Sequence, residues 1–427
     1  MIKRKKNGPF SRSIFVFALI AVCIVYRNLS FFRESHRPNK AVRGGSCAHS
    51  KAEPLVLHID AYGWKRAREA YGCKFTRDRQ CLSQASAVIL NLEKYPATST
   101  PSFSLFDFTP HGERVINYWR NLRLHAGDQA LFFGWSSEVA VSDNRPINNK
   151  QIMNLMNYSI HIGPDADYPY LLVTPPRLYK PLTTLLQKKT NHILFLSSNC
   201  DTADGRDSFV QRFMEFVDVD SIGSCLHNKD YPSDIRGFEL NPATGQSYRD
   251  SWHGNYVASN LKLLERYKFR LVMPNSICTD YVTEKLIDSF GAATIPIYFG
   301  ATNSHDFDMG IIAGVHPAMI HVIDFDSLSA LARHVEEVST NTTLYSLYFE
   351  YIEHREKWEH LYPRHIKAIR KKRLNSVDEE EFVCKVVHMH HTGKEKVVKS
   401  KIAQPPNQCY GRWDKYLKAI GKNLSMW

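Results

Sequence analysis

The sequence lacks the features by which several protein classes are recognised. No two cysteines are separated by two residues, which argues against a zinc site built on cysteine pairs. It has no internal repeat and no long low-complexity tract. The first thirteen residues contain no acidic side chain, and they supply +5 of the net charge of +12. The rest of the chain is therefore only moderately basic, which suits an anionic ligand without requiring one.

The apolar run near the amino terminus is short. Residues 14–26 are wholly apolar or aromatic, whereas about 20 residues are usual for a membrane span. Residues 22–26 lack small residues in the pattern that signal peptidases cleave, so an uncleaved anchor is favoured over a signal-peptide core. Basic residues before the run keep the amino terminus in the cytosol. The sequence predicts a cytosolic tail at 1–13, a transmembrane signal anchor at 14–32 and a luminal remainder.

The 427 residues, 43% of them hydrophobic, suffice for two ordinary domains after the anchor. Residues 33–50 are polar with paired glycines, and they are typical of a stem. We predict an amino-terminal domain at 51–185. A second domain is predicted at 186–370, where strand and helix patterns alternate most clearly. The last segment, 371–427, is basic and is predicted to be irregular.

Two further features suit a luminal location. Eight of the nine cysteines lie beyond the anchor, an even number that permits disulfides without assigning their pairing. Sequons for N-glycosylation, which are used only on the luminal side, occur at Asn28, Asn157, Asn341 and Asn423. We expect Asn28 to lie too close to the membrane to be modified.

Residues 269–300 carry the strongest local signal. An apolar run at 269–273 ends at a Pro-Asn-Ser turn signal, and a second apolar run occupies 295–299. Between them, a capped helix is expected to begin near Tyr281. Strand–helix–strand units build parallel sheets and place a helix N-terminus where phosphate binds. The segment therefore predicts a nucleotide-phosphate site, and a surface helix with one ion pair is the simpler alternative.

The same segment resembles a family signature. Asn-Ser-x-x-x-Asp-Tyr-Val-Thr-Glu-Lys at 275–285, followed by Ile-Pro-Ile-Tyr-Phe-Gly at 295–300, resembles the signature of the α1,3-fucosyltransferases, family ten of the glycosyltransferases. The resemblance implies an α/β fold of the GT-B type, in which two Rossmann-like domains face a cleft. The domain at 51–185 would then be the acceptor-side domain, and the domain at 186–370 would bind GDP-fucose. The resemblance also implies inverting transfer from GDP-fucose by a type II Golgi membrane enzyme. The family usually has Glu where this chain has Pro274, which leaves the conformation of that loop open.

The resemblance also assigns roles at the donor site. Arg206 follows a Ser-Asn-Cys segment, and the family's matching arginine contacts the diphosphate, whose oxygens a guanidinium can hold bidentately. Lys285 would add a second cation, and Glu284 would bind the ribose hydroxyls. Asn275 and Tyr281 would lie near the phosphates. A solvated loop arginine is the alternative for Arg206.

Fucosyl transfer also needs a base that takes the proton of the acceptor hydroxyl. Glu138 follows the apolar run that starts at Phe132, in a setting similar to that of the family's proposed base. An aromatic neighbourhood can raise the pKa of a carboxyl towards useful basicity. We therefore predict Glu138 as the base, and an exposed loop glutamate is the alternative.

Four Asp-x-Asp pairs have the form of the divalent-metal motif of the other large glycosyltransferase fold, and their number shows how common the pattern is. We predict no metal site and no required cofactor, and stimulation by a divalent cation stays open. The expected partners are GDP-fucose, a glycan acceptor on a glycoprotein and the Golgi membrane. No nucleic acid is expected.

The sequence thus predicts an α-(1,3)-fucosyltransferase that transfers L-fucose, with inversion, to a hydroxyl of a glycoprotein glycan in the Golgi lumen. O3 of GlcNAc is the favoured hydroxyl. Two alternatives stay open. One is a metal-dependent glycosyltransferase of another family, which EDTA would inactivate. The other is a non-catalytic, membrane-anchored protein that binds glycans and releases no GDP.

Overall fold

The computed structural model describes residues 47, 50–59, 68–92, 111–126, 129–136, 146–162, 166–169, 178–235, 255–354, 378–394 and 409–427. The chain divides into two units, Met1–Cys47 and Ala48–Trp427, and the architecture below is that of the second. No helix in these stretches is both long and apolar enough to cross a membrane. The predicted tail at 1–13 and anchor at 14–32 lie outside the described residues, as does nearly all of the predicted stem.

The first sheet has seven strands within the described residues. They are β1 (Leu55–Ile59), β2 (Arg68–Ala70), β3 (Cys73–Thr76), β4 (Ala87–Asn91), β5 (Leu131–Ser136), β6 (Tyr158–His161) and β7 (Tyr168–Pro169). Their order is β2-β3-β1-β4-β5-β6-β7, and all neighbours pair in parallel except β2 with β3. Every residue of β1, β4 and β5 is buried, which is typical of parallel strands covered on both faces.

Helices cover both faces of this sheet. One face packs against α1 (His111–His125) and α2 (Lys150–Met153), where Trp119 and Ile152 join the core. The opposite face packs against a helix from the carboxyl-terminal tail. Alternate residues of each central strand therefore enter two separate hydrophobic cores.

The second sheet has five strands in the part of the chain that the structure describes, and all of them are parallel. They are β8 (Thr190–Leu196), β9 (Val219–Ile222), β10 (Tyr267–Val272), β12 (Ile295–Tyr298) and β13 (Ile320–His321), in the order β13-β12-β10-β8-β9. A separate antiparallel ribbon pairs β11 (Ile277–Cys278) with β14 (Cys409–Tyr410).

Helices alternate with these strands or follow them. They are α3 (Leu182–Leu185), α4 (Arg206–Phe213), α5 (Asn255–Leu264), α6 (Glu284–Gly291), α7 (Met309–Ala313), α8 (Leu328–Thr340) and α9 (Thr342–Leu347). In α6, Leu286 and Phe290 are buried against the largest hydrophobic core, which also receives β10 and β12. The second sheet is thus a parallel sheet with crossover helices, as in other α/β folds.

The predicted strand–helix–strand unit is confirmed. β10 pairs in parallel with β12, with Phe269 beside Ile295 and Val272 beside Tyr298, and α6 connects them. The expected helix start near Tyr281 is wrong, because α6 begins at Glu284. Asp280 has a φ of 63°, which lies outside the right-handed helical region and delays the helix.

The α/β class is confirmed by the two sheets, of which the first is parallel except for β2 and the second is wholly parallel. Strands of the first sheet come from 55–169 and those of the second from 190–321, so the predicted boundary between 185 and 186 falls between them. The domain limits and the GT-B arrangement around a cleft stay predictions.

The prediction of an irregular tail at 371–427 is wrong. Within its described parts, α10 (Glu379–His391) and α11 (Trp413–Ala419) form, and β14 joins β11. Asp378 caps α10 by accepting from the backbone N–H of Glu381. The helix buries Phe382, whose ring lies 5.2 Å from that of Tyr168 in the first sheet's core. Basic and histidine residues around these short apolar stretches obscure the helical pattern in the sequence.

Three disulfides link distant parts of the chain: Cys73–Cys384, Cys200–Cys225 and Cys278–Cys409. Cys47 and Cys81 are also disulfide-bonded. Two of the three fasten the tail, one to the first sheet and one to β11. A cross-link that closes a long loop typically stabilises a fold by about 2–4 kcal/mol.

We expect Phe382→Ala to lower the free energy of unfolding by about 3–5 kcal/mol, since it empties a buried aromatic position. Phe382 is 3% exposed in the core between α10 and the first sheet. Denaturant unfolding of the purified chain measures the change. Leu124→Ala is the control, because Leu124 is 77% exposed on α1. Equal stabilities of the two variants would contradict the packing of the tail on the sheet.

Candidate active site

The candidate site lies where strands of the second sheet end. β8 runs into a loop at 197–205 and then into α4, and β10 runs into a loop at 273–283 and then into α6. The two strands are direct neighbours, with Arg270 beside Leu194. Because carboxyl ends of parallel strands meet at one edge of a sheet, the two loops lie side by side.

Arg206 joins the two loops. It is the first residue of α4, and it is only 2% exposed. Its Nη1 donates to the carbonyl of Met273 at 2.9 Å and to Oδ1 of Asn275 at 3.0 Å. Its Nη2 donates to Oγ of Ser197 and to the carbonyl of Asn199, both at 2.7 Å. The guanidinium therefore holds the end of β8 to the end of β10, and the alternative of a solvated loop arginine is wrong.

The fifth donor of Arg206 is different. Nε is buried and has no hydrogen-bond partner among the described residues. All four acceptors of the other donors are neutral. Desolvation lowers the pKa of Arg206, while the nearby carboxyls of Asp204 and Asp207 act in the opposite direction. A guanidinium keeps its charge under such conditions, so a buried positive charge lies at the edge of the sheet.

The amino terminus of α6 has no side-chain cap. Thr283 is the N-cap residue, and its hydroxyl is buried without a partner within the described structure. By contrast, the side chains of Asp308 and Ser327 cap α7 and α8, two later helices of the same α/β region. Thr283 thus accepts from none of the backbone N–H groups in the first turn of α6, although the N–H of Glu284 donates to its own carboxyl. An uncapped first turn attracts anions, through these donors and through the helix dipole.

Glu284 and Lys285 form an ion pair in this first turn. Nζ of Lys285 lies 2.8 Å from Oε1 of Glu284, and the two side chains are 23% and 60% exposed. Desolvation raises the pKa of the Glu284 carboxyl, but the charge and hydrogen bond of Lys285 outweigh it, so the pKa lies below its ordinary value. The Glu284 side chain is nevertheless more than half exposed to solvent. The pair is therefore accessible to a ligand.

Arg270 supports the same turn from inside the sheet. It is 2% exposed, and its Nη1 donates to the backbone carbonyl of Lys285 at 2.9 Å. Burial raises the pKa of Asp288, one turn further along α6, to about 6. The carboxyls of Glu284 and Asp288 thus interact with the charge of a buried arginine on the neighbouring strand.

The other two predicted donor residues lie in the loop before α6. Asn275 is half-buried, and it accepts from Arg206 as described. Tyr281 is 2% exposed and precedes the helix, and its backbone carbonyl accepts from the Tyr298 hydroxyl at 3.3 Å. The structure therefore brings Arg206 and Asn275 into contact, and it places Tyr281, Glu284 and Lys285 on the adjacent segment. Their individual roles stay predictions.

Pro274 is accommodated by a glycine. A Cβ atom at Gly300 would lie 2.5 Å from Cγ of Pro274 and 2.8 Å from the Tyr298 hydroxyl. Only glycine leaves room for the proline ring at this place. The loop that departs from the family pattern is therefore packed against the turn after β12.

Glu138, the predicted base, lies outside the described residues. The strand before it, β5, ends at Ser136, which is fully buried. The last residues of three neighbouring strands, β4, β5 and β6, are polar: Asn91, Ser136 and His161. Sequence reasoning did not identify this set of polar residues at the edge of the first sheet. The sheet register sets Ser136 beside His161. A polar residue at the end of each buried strand was the signal that could have found them.

The family model for "Glycosyltransferase family 10 (fucosyltransferase) C-term" matches residues 186–404, just over half of the chain. The chain belongs to glycosyltransferase family 10. The match includes both loops of the candidate site. It also includes all five donor residues that the resemblance identified.

Curated relatives carry two kinds of name. GDP-fucose protein O-fucosyltransferase 3 of Xenopus laevis is 33% identical over 167 residues, 39% of this chain and 32% of that protein. Alpha-(1,3)-fucosyltransferase B of Drosophila melanogaster is 31% identical over 170 residues, 40% of this chain and 33% of that protein. The chain thus matches about a third of the length of these relatives.

A solved structure, "Crystal Structure of alpha1,3-Fucosyltransferase with GDP-fucose", is similar at 14% sequence identity with a TM-score of 0.41. The similarity covers 86% of this chain and 97% of that one.

In this family 10 chain, the aspartates of the Asp-x-Asp pairs that the structure describes all have protein partners, and Asp165 lies outside the described residues. Asp167 accepts from the backbone N–H and the hydroxyl of Ser159. Asp220 pairs with Lys229 and His192. The others behave alike: Asp308 with His321, Asp306 with Asn303, Asp324 with His305, and Asp326 with Lys422. Carboxylates with such partners are poor candidates for a metal site.

Within the described part of Ala48–Trp427, two clusters gather metal-ligand atoms: Cys73–Cys384–His388 and Cys200–Asp207–Cys225. Each contains two disulfide-bonded cysteines. A cysteine binds metal as its thiolate, which a disulfide does not offer. These clusters are therefore features of the disulfides.

We expect Arg206→Ala to lower the free energy of unfolding by about 3 kcal/mol or more, since each buried acceptor left without a donor costs about 1–3 kcal/mol. Chemical denaturation measures the change. Arg333→Ala is the matched control, because Arg333 is exposed on α8. If Arg206→Ala were as stable as Arg333→Ala, the guanidinium would not be holding the two loops.

Proposed function

We propose that this chain transfers L-fucose from GDP-fucose to an acceptor hydroxyl, with inversion at the sugar carbon. The proposal rests chiefly on one observation. Within the family-matched region, α6 begins without a side-chain cap and carries Lys285 in its first turn. The loop that precedes this helix is held by hydrogen bonds from the buried, positively charged Arg206. This combination suits the diphosphate of a nucleotide sugar.

In the proposed reaction, the diphosphate occupies the first turn of α6. Lys285 exchanges its bond to Glu284 for a phosphate oxygen, and Glu284 accepts from the ribose hydroxyls. The charge of Arg206 adds to the field that stabilises the departing GDP. Glu138 removes the proton of the acceptor hydroxyl as it attacks from the face opposite GDP. No metal is required in this scheme, because the protein's own cations neutralise the leaving group.

Two acceptors are candidates. O3 of GlcNAc on a glycoprotein glycan is the one that the sequence resemblance favours, and a relative named Alpha-(1,3)-fucosyltransferase B agrees with it. The second candidate is a hydroxyl of a protein side chain, which the relatives named GDP-fucose protein O-fucosyltransferase 3 favour. A panel that contains both glycan and protein acceptors separates them.

We further propose a Golgi location with the catalytic region in the lumen. The disulfide-bonded state of the eight cysteines beyond the predicted anchor supports it, because such bonds persist in oxidising compartments. The basic residues at 3–12 and the apolar run at 14–26 support a type II orientation.

We expect Lys285→Ala to weaken GDP binding roughly tenfold to a hundredfold, since a charge-assisted hydrogen bond contributes about 1.5–3 kcal/mol. Glu138→Gln should instead leave GDP binding unchanged and lower turnover about 10²- to 10⁴-fold. Calorimetry measures binding, and fucose transfer with GDP release, in EDTA, measures turnover.

Lys418→Ala is the control for charge, because Lys418 is exposed on α11. Binding of GDP without any transfer to the acceptor panel would favour the non-catalytic alternative. Loss of transfer in EDTA would favour the metal-dependent one. Unchanged GDP affinity in Lys285→Ala would remove that residue from the donor site.

N-glycosylation tests the luminal location. Asn157 is 2% exposed, and its Oδ1 accepts from Arg123 and from the backbone of Phe132, so its sequon should stay unmodified. Asn341 and Asn423 are exposed, and we expect both to carry glycans in secretory cells. The shift in electrophoretic mobility after treatment with a peptide N-glycosidase measures the modification.

Thr343→Ala and Ser425→Ala are the variants of choice. Each removes a sequon but keeps the asparagine, and Asn341 also caps α9 through a bond from Leu344 N–H. Each should remove one glycan. A chain with no glycan at all in these cells would contradict the luminal location.

A further inference from the structure

The turn before α6 contains a residue in an unfavourable backbone conformation. Asp280 has a φ of 63° and is 9% exposed. A residue with a Cβ atom pays roughly 1–2 kcal/mol to adopt the left-handed region. The conformation persists only where neighbouring groups hold it. Asp280 directly precedes Tyr281 and stands four residues before Glu284, so its conformation sets where the donor segment begins.

One side chain from another loop holds this residue at two points. Oδ1 of Asn303 accepts from the backbone N–H of Asp280 at 2.9 Å, and its Nδ2 donates to Oδ1 of Asp280 at 2.9 Å. The same Nδ2 donates to Asp306 at 3.0 Å, which fixes the orientation of the amide. Together, the bond to the backbone and the bond to the side chain of Asp280 restrict the backbone dihedral angles of that residue.

The turn is completed locally. The backbone N–H of Tyr281 donates to the carbonyl of Cys278 at 3.2 Å, and that of Val282 donates to the carbonyl of Asp280 at 3.0 Å. The Cys278–Cys409 disulfide anchors the chain upstream, but it leaves the dihedral angles of residue 280 free. Among the described side-chain contacts, the paired bonds from Asn303 are those that act on Asp280 itself.

We propose that Asn303 is a positioning residue for the nucleotide donor, acting through the left-handed conformation of Asp280. It keeps Tyr281 and the first turn of α6 aligned with the diphosphate. This inference rests on the proposed function, because GDP-fucose is taken as the donor. Asn303 touches neither donor nor acceptor in this proposal.

The substitution Asp280→Gly provides the test. Glycine adopts the left-handed region without steric cost, so it should make the hold by Asn303 dispensable. We expect Asn303→Ala to weaken GDP binding, and to raise KM for GDP-fucose, about tenfold, with KM for the acceptor unchanged. Asp280→Gly should bind GDP within about threefold of the parent. Adding Asn303→Ala to Asp280→Gly should then weaken binding by less than about twofold.

Asn341→Ala is the matched control, compared with the parent after N-glycans are removed from both, because Asn341 also uses its side-chain amide to hold a turn, at the start of α9. It should bind GDP like the parent. A merely structural asparagine would lose stability without the selective rescue by Asp280→Gly.

The outcomes are distinct. If Asn303→Ala binds GDP as tightly as the parent, the inference is overturned. It is also overturned if Asn303→Ala weakens GDP binding equally in the parent and in Asp280→Gly. If Asn303→Ala does not fold, the double variant decides, since it should fold and bind GDP, and its failure to bind also overturns the inference. A parent chain that does not bind GDP overturns the proposed function, and this inference with it.

Discussion

The second half of this molecule is organised by one buried guanidinium. Four donors of Arg206 reach acceptors on two loops that follow different strands, so the ends of β8 and β10 cannot separate without breaking several bonds. The acceptors are neutral, so the hydrogen bonds themselves do not cancel the positive charge, which the nearby carboxyls of Asp204 and Asp207 offset in part. In a partly dehydrated environment its field extends further than it would in water. An anion at the neighbouring helix start would feel that field without touching the side chain.

The helix start is arranged in a complementary way. Without a donor, Lys285 is neutralised by Glu284, which limits the repulsion between the cations at this edge. An incoming diphosphate would replace the carboxylate as the partner of Lys285, and the carboxylate would be released to accept hydroxyl groups. The ion pair thus keeps two binding groups in place in the absence of ligand. An exposed pair of this kind contributes little to stability, so its exchange costs little free energy.

Local sequence patterns predicted the strands and the helix of the candidate site, but they did not predict the long-range contacts. The apolar runs at 269–273 and 295–299 and the helix between them follow from spacing alone. The start of α6 was misplaced because the hold on Asp280 comes from Asn303, 23 residues away. The Arg206 position was predicted, but its burial was not, since its acceptors belong to two different loops. The Cys73–Cys384 link spans 311 residues, and no local pattern encodes such a pair.

The carboxyl-terminal segment matters to the candidate site because it contacts both donor loops. β14 pairs with β11 in the loop before α6, and a disulfide fastens the two. Trp413 donates from its backbone to the carbonyl of Asp204, and its indole donates to the hydroxyl of Ser208 in α4. These contacts reinforce from outside the same two segments that Arg206 joins from inside. Residues 409–427 lie beyond the family-matched region. In this chain, the two loops of the candidate site are therefore supported by a segment that the family model does not match. It follows that substitutions far from the phosphate-binding turn, on the apolar face of α11, should act on the geometry of that turn as well as on stability.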